Sequence, residues 1–153
     1  MIWHLAQFNH ARLQKPIDDP ASSGFVDGLD AMNALAEAAP GFVWRLADES
    51  GNATGIETAG DPMRIINISV WESAKALQDY AYRSAHVEYM RQRLDWFEPR
   101  DGAHLVLWWV PACHQPTLDE ADDRLAQLVA DGPSAAAFTF LPTFPCPTHE
   151  PEQ

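Results

Sequence analysis

The sequence predicts an α+β fold of the ferredoxin-like βαββαβ type, with an antiparallel sheet and an added C-terminal helix. Four stretches have the apolar or alternating pattern of strands, and helical stretches separate them in the order that this fold requires. The 153 residues are enough for one core, so a single domain over 1–153 is expected. Hydrophobic residues make up 46% and charged residues 21%, which is ordinary for a soluble globular protein.

The first half of the chain supplies a strand, a helix and a second strand. Side chains alternate over Trp3–His10, which predicts a strand. A helix that Ser22 or Ser23 can cap carries apolar residues at helical spacing, and Pro40–Gly41 stops it. The apolar run Phe42–Leu46 then predicts the second strand.

The middle of the chain predicts the third strand and the second helical region. A polar loop covers Asp48–Pro62, with brief pairing expected at Ile56–Glu57. Ile65–Trp71 alternates clearly and is the strongest strand prediction. The stretch Ser73–Phe97 is helical, and Ser84 can cap a second segment after a break.

The last part of the chain predicts a strand, a helix and a docked tail. The strand covers His104–Val110 and ends at a proline. Thr117–Glu120 forms a capping box for a helix that Gly132–Pro133 ends. The aromatic tail from Phe138 is expected to pack on the body, with about 145–153 loose.

The charge balance excludes several classes of partner. Asp and Glu number 22 against 10 Lys and Arg, a formal charge of −12. Nucleic acids and anionic membrane surfaces favour basic proteins, so neither is expected as a partner.

The start lacks a targeting pattern, no stretch is long enough to span a membrane, and two cysteines are too few for a disulfide framework. A cytoplasmic protein with free thiols is therefore expected.

Aromatic residues are abundant, with six tryptophans among 153 residues. In the third predicted strand Ile66, Ile68 and Val70 share one face, which is expected to lie under the helices. Asn67, Ser69 and Trp71, with Trp44, are expected on the opposite, bare face. A bare sheet face with aromatic side chains favours packing against a second sheet, so the sequence predicts a homodimer.

Several blocks of the sequence, in the right order, resemble the DUF3291 family. They are Leu5-Ala6-Gln7-Phe8-Asn9, Asn67-Ile68-Ser69-Val70-Trp71-Glu72-Ser73, Tyr82-Arg83-Ser84-Ala85-His86, His104-Leu105-Val106-Leu107-Trp108-Trp109-Val110-Pro111-Ala112, Gly132-Pro133 and Ala137-Phe138-Thr139-Phe140. The resemblance implies a dimeric α+β barrel, in the superfamily of the antibiotic-biosynthesis monooxygenases. That superfamily includes cofactor-independent oxygenases, heme-degrading oxygenases and related isomerases and dehydratases.

The heme-degrading members of that superfamily have a partly matching pattern. Asn9 on the first strand and the Ala85–His86 step resemble theirs. Their helix tryptophan is not matched, since Tyr80 or Tyr82 stands about where it would be. The expected cofactor is therefore none, with heme as the alternative.

His86 is the leading catalytic candidate, because an imidazole can remove a proton from a phenol or enol or ligate iron. Helical spacing places Tyr82 and Met90 on the same face, and Tyr82 could orient His86 or donate to an oxyanion. The alternative is a histidine held by a backbone carbonyl for structural reasons.

Two strand amides are the next candidates. A polar Asn67 among Ile and Val must satisfy its amide through a substrate carbonyl, the backbone or a dimer interface, and Asn9 has the same alternatives. Other residues expected to line an aromatic pocket are Trp44, Ser69, Trp71, Tyr80 and Trp108, with packing as the alternative for each tryptophan.

The sequence favours a small-molecule enzyme with a hydrophobic or aromatic substrate. A cofactor-independent monooxygenase-like activity is the leading hypothesis; heme binding, an isomerase or lyase, and a non-catalytic ligand-binding dimer are the alternatives. Metal-ligand spacing, a nucleophile elbow and phosphate-binding loops are absent from the sequence.

Overall fold

The computed structural model describes residues 2–47, 61–84, 86–99 and 102–147. The strands are β1 (Trp3–Arg12), β2 (Phe42–Arg45), β3 (Arg64–Trp71) and β4 (Leu105–Pro111), and the helices are α1 (Ser23–Ala38), α2 (Ala74–Arg83), α3 (His86–Arg91), α4 (Arg93–Trp96) and α5 (Leu118–Asp131). The strands form one antiparallel sheet in the order β2-β3-β1-β4. The predicted ferredoxin-like α+β fold is confirmed. The expected pairing at Ile56–Glu57 and the final residues 148–153 lie outside the described residues.

Side-chain caps mark the N-terminal ends of α2 and α5. The Thr117 hydroxyl accepts from the Glu120 amide at 3.2 Å, as the capping box predicts, and Ser73 caps α2 through the Ala76 amide at 3.1 Å. Ser22 precedes α1 but does not cap it, because its hydroxyl donates to the Lys15 carbonyl at 3.2 Å instead.

The predicted helical break occurs at Ser84. Its backbone is extended (φ −109°, ψ 179°), and its hydroxyl accepts from the amide of His86 at 3.1 Å. The same hydroxyl donates to the Tyr80 carbonyl. The single helical region of the sequence therefore becomes three helices, α2, α3 and α4, and His86 begins the second of them.

The helices that pack on each face of the sheet differ from those expected. The Ile66, Ile68 and Val70 face packs against Ala121 and Leu128 of α5. The face that carries Ser69 and Trp71 lies beneath α1 and α2, where Trp71 joins Ala36 and Leu77 in a second buried cluster. The expectation of a bare face with Asn67, Ser69 and Trp71 is therefore wrong. The homodimer remains a prediction, but helices of the same chain cover both sheet faces, including the face that was expected to bind the partner.

A β-bulge in β2 determines which of its side chains lie on each face of the sheet. Phe42 pairs with Trp71, whereas Trp44 pairs with Val70 and Arg45 with Ser69, so Val43 is the extra residue. Because paired residues share a face, Phe42 and Arg45 lie on the α1/α2 side and Trp44 lies on the α5 side. Regular alternation would have given Phe42 and Trp44 the same face.

Candidate functional site

A cavity of about 540 Å³ lies between the sheet and the helices α1, α2 and α3. Most of the predicted site residues line it, namely Asn9, Asn67, Ser69, Trp71, Tyr80, Tyr82, His86 and Met90. Aromatic and aliphatic side chains form much of the remaining wall, including Phe25, Leu29, Trp96 and Phe140. A cavity of this size and composition suits a small, largely apolar molecule.

Trp44 and Trp108 were expected to line the pocket, but both lie on the opposite face of the sheet, so these two predictions are wrong. Trp44 is on the α5 side because of the bulge in β2. Trp108 pairs with Ala6, is fully buried beneath α5, and donates its indole N–H to Glu120 at 3.2 Å. Its neighbour Trp109 faces the other way and donates to the Phe144 carbonyl at 3.1 Å, so it holds the C-terminal tail.

A network of polar side chains forms the sheet side of the cavity. The Gln7 amide donates to the side-chain oxygen of Asn67 and to the Ser69 hydroxyl, the latter at 3.0 Å. The Asn9 side-chain amide donates to the side-chain oxygen of Gln7 at 3.2 Å, and the Trp71 indole donates to the Ser69 hydroxyl at 2.8 Å. Gln7 is therefore the hub, although the sequence analysis did not select it. The sequence did contain a signal for Gln7, because it lies two residues from Asn9 on the first strand and therefore shares its face.

The direction of these bonds determines what the cavity offers a ligand. The Ser69 oxygen already accepts two hydrogen bonds, so its O–H remains a donor. The Asn67 oxygen is engaged by Gln7, which leaves the Asn67 amide N–H groups as donors on an exposed side chain. This part of the wall therefore favours a ligand oxygen with acceptor character, such as a carbonyl or an oxyanion.

His86 has the protonation state of a general base. Its Nδ1 lies 3.4 Å from the Ala81 carbonyl, which can only accept, so Nδ1 carries the hydrogen and Nε2 carries the lone pair. Burial lowers the pKa of His86 below its ordinary value, and the bond to Ala81 opposes this only partly. The imidazole is therefore neutral near pH 7 and can accept a proton in the cavity.

Tyr80 connects His86 to the sheet. Its ring stacks on Trp71 with centroids 5.1 Å apart and contacts the His86 ring at 4.9 Å. Its hydroxyl donates to the Met32 carbonyl of α1 at 3.3 Å, and burial raises the pKa of Tyr80 to about 12. Tyr80 therefore stays a neutral phenol that fixes the position of the imidazole.

Tyr82 does not have the position that helical spacing predicted. The chain leaves the helix at Ser84, so Tyr82 and His86 belong to different helices, whereas Met90 stays with His86 in α3. Tyr82 is 62% exposed, and its ring contacts Phe140 of the tail at 5.5 Å. It lies at the rim of the cavity, and Tyr80 is the tyrosine that contacts His86.

Residues 2–47, 61–84, 86–99 and 102–147 include neither a candidate metal site nor a helix that could span a membrane. That part of the chain contains no group of three or more His, Cys, Asp or Glu that could hold a metal ion. Its helices include none long and apolar enough to cross a membrane.

A family model described as a domain of unknown function, DUF3291, matches residues 4–153. The chain belongs to the DUF3291 family. The predicted family resemblance is thereby confirmed. No curated protein matches this DUF3291 chain in sequence.

Solved structures similar to this DUF3291 chain have the same ferredoxin-like fold. A candidate antibiotic biosynthesis monooxygenase from Nitrosomonas europaea aligns with a TM-score of 0.53 at 14% identity, over 74% of this chain and 95% of that one. SnoaB, a cofactor-independent oxygenase from Streptomyces nogalater, aligns with a TM-score of 0.49 at 13% identity, over 75% and 96%. Rv0793 from Mycobacterium tuberculosis aligns with a TM-score of 0.49 at 15% identity, over 74% and 99%. At 14% identity the likeness to the Nitrosomonas europaea protein supports the fold alone, and the reaction must be argued from the site.

Proposed function

We propose that this DUF3291 chain is an enzyme that binds a planar, largely apolar small molecule and that His86 removes a proton from it. The observation that carries the proposal is the neutral His86, with its Nε2 lone pair available, in the same cavity as the hydrogen-bond donors of Asn67 and Ser69. A base together with oxyanion donors is the arrangement that proton abstraction from a phenol or an activated CH group needs.

The reaction that we favour is monooxygenation with dioxygen as the co-substrate. His86 takes a proton from an activated CH₂ group, and the resulting carbanion-enolate forms a C–O bond with dioxygen. The peroxide then takes a proton from the imidazolium. Loss of water from this hydroperoxide breaks the O–O bond and leaves a carbonyl, so one substrate and one dioxygen give one product and one water. The fold shared with the monooxygenase candidate from Nitrosomonas europaea supports this choice at the level of architecture.

Oxygen uptake tests the proposal. With anthrone as the probe, we expect the wild-type protein to consume one dioxygen per substrate faster than the uncatalysed reaction. His86→Gln should lose about 10²- to 10⁴-fold of the catalysed rate, the usual contribution of a general base. His114→Gln is the matched control, because His114 is paired with Glu120 on the surface. Equal rates for wild type and His86→Gln would contradict the role of His86.

Deuterium exchange separates proton abstraction from oxidation. In D₂O without oxygen, wild type should exchange the acidic hydrogen of the probe and His86→Gln should not. Exchange without any oxygen uptake under air would favour an isomerase or lyase over a monooxygenase.

Heme binding is a second candidate, and the available Nε2 of His86 in a large, mainly apolar cavity favours it. A Soret shift on titration with hemin that disappears in His86→Ala would support heme binding. An unchanged hemin spectrum would remove this candidate.

A further inference from the structure

The cavity wall has a charge opposite to that of the chain as a whole. Acidic residues outnumber Lys and Arg by 22 to 10 in the sequence. Among the described residues that line the cavity there is no Asp or Glu, whereas Arg45, Arg91 and Arg93 all line it. Glu37 and Glu88 pair with Arg45 and Arg91 but do not line the cavity. The described part of the wall therefore presents guanidinium groups and no carboxylate, which favours a ligand that carries a negative charge.

Arg45 is the best-placed of these cations. Its side chain is 14% exposed, and its Nε donates to Glu37 at 2.8 Å. The bulge in β2 places it opposite Ser69 on the cavity face. A guanidinium has five N–H groups in a planar fork, so one Arg45 side chain can serve several acceptors at once.

A row of cavity side chains connects Arg45 to His86. Arg45 pairs with Ser69, whose hydroxyl accepts from the Trp71 indole at 2.8 Å. The Trp71 ring stacks on Tyr80, and the Tyr80 ring contacts the His86 ring at 4.9 Å. A ligand held at Arg45 would therefore place its body beside the imidazole. The stacked Trp71 and Tyr80 rings provide the apolar surface for that body.

We propose that the substrate is an aromatic monocarboxylate and that Arg45 binds its carboxylate group. This inference rests on the proposed function and adds the substrate class. Arg–carboxylate pairs are charge-assisted and often bidentate, which gives orientation as well as affinity. The rest of the cavity is mainly apolar, which fits one charged group on a ring system better than a polyanion.

Two matched ligands test the charge preference. We would measure binding of 6-hydroxy-2-naphthoate and of its neutral methyl ester by calorimetry at low ionic strength. Wild type should bind the acid about tenfold more tightly than the ester or better, a typical effect of one charge-assisted bond. Added salt should weaken binding of the acid more than binding of the ester.

Variants locate the preference at Arg45. Arg45→Met should reduce the acid-to-ester ratio to about one, with affinity for the ester within about twofold of wild type. Arg83→Met removes a positive charge from an exposed site outside the cavity and should keep the wild-type ratio. Glu37→Gln breaks the same ion pair but keeps Arg45, so its ratio should equal or exceed that of wild type. This variant also gives a result if Arg45→Met fails to fold.

The outcomes distinguish this inference from the proposed function. An ester that binds as tightly as the acid, or a ratio unchanged in Arg45→Met, would overturn the inference while leaving proton abstraction by His86 intact. If wild type binds neither compound and does not react with anthrone, both proposals fail.

Discussion

The chemistry of His86 arises from a local competition for hydrogen bonds. The Ser84 hydroxyl binds the backbone at both Tyr80 and His86, which stabilises the break between α2 and α3. The break lets the His86 ring reach back to the Ala81 carbonyl. A serine in the sequence thereby determines which ring nitrogen keeps its lone pair. The sequence indicated this break, but the tautomer depends on a three-dimensional contact.

The pH dependence of catalysis follows from the lowered pKa of His86. Burial disfavours the imidazolium, so the basic form persists below the ordinary histidine pKa of about 6.5. We expect the rate to be independent of pH near neutrality and to fall only below that value. The acid limb of the pH–rate profile and an NMR titration of His86 should give pKa values below the ordinary one. A titration at or above it would contradict the described burial.

The same shift affects folding stability. Because the pKa of His86 is lower in the folded state, the unfolded state binds more protons just below pH 6.5. Stability is therefore present at higher pH and is lost as the pH falls through this window. Burial also lowers the pKa of His10, which adds in the same direction. Urea unfolding at several pH values should show this loss, and His86→Gln should show less of it than wild type.

Tyr80 and Tyr82 provide a matched pair for testing the site. Tyr80→Phe removes the hydrogen bond to the Met32 carbonyl and should destabilise the fold by about 0.5–1.5 kcal/mol. Tyr82→Phe alters an exposed rim residue and should stay within about 0.5 kcal/mol. Urea unfolding measures both. A larger effect at Tyr82 would mean that its hydroxyl has a partner inside the cavity.

At the scale of elements, the sequence predicted the strands and helices well but not what covers each face of the sheet. Ile66, Ile68 and Val70 were correctly grouped, yet α5 covers them rather than the first two helices. Periodicity shows which residues share a face, but it does not show which helix packs there. The bulge at Val43 explains why the prediction for Trp44 was wrong. One extra residue reverses the alternation of side chains and places Trp44 on the α5 side, and periodicity does not reveal it.

The packing of α5 can be tested with two substitutions on one helix. Ala121 faces the sheet and is fully buried, so Ala121→Glu should destabilise the chain by about 3 kcal/mol or more. Val129 is 68% exposed, and Val129→Glu should cost less than about 0.5 kcal/mol. Urea denaturation compares them. Tolerance of Ala121→Glu would contradict the packing of α5 on the sheet.

At the scale of the whole molecule, the cavity lies between the sheet and the helices α1, α2 and α3 of the same chain, and α5 covers the opposite face of the sheet. The predicted homodimer would have to use a surface other than the two sheet faces, which α1, α2 and α5 cover. We therefore expect the rate per chain to be unchanged on dilution, even if sedimentation shows a dimer that dissociates over the same concentrations. A rate that falls as the dimer dissociates would mean that the partner completes the site.

The bulge in β2 also bears on how this cavity could diverge between relatives. Deleting Val43 would remove the extra residue while leaving Phe42 and Arg45 on the cavity side. Inserting one residue between Trp44 and Arg45 would instead turn the guanidinium towards α5. An insertion of a single codon in this short strand would therefore remove the proposed carboxylate-binding group from the cavity, with no substitution among the residues that line it.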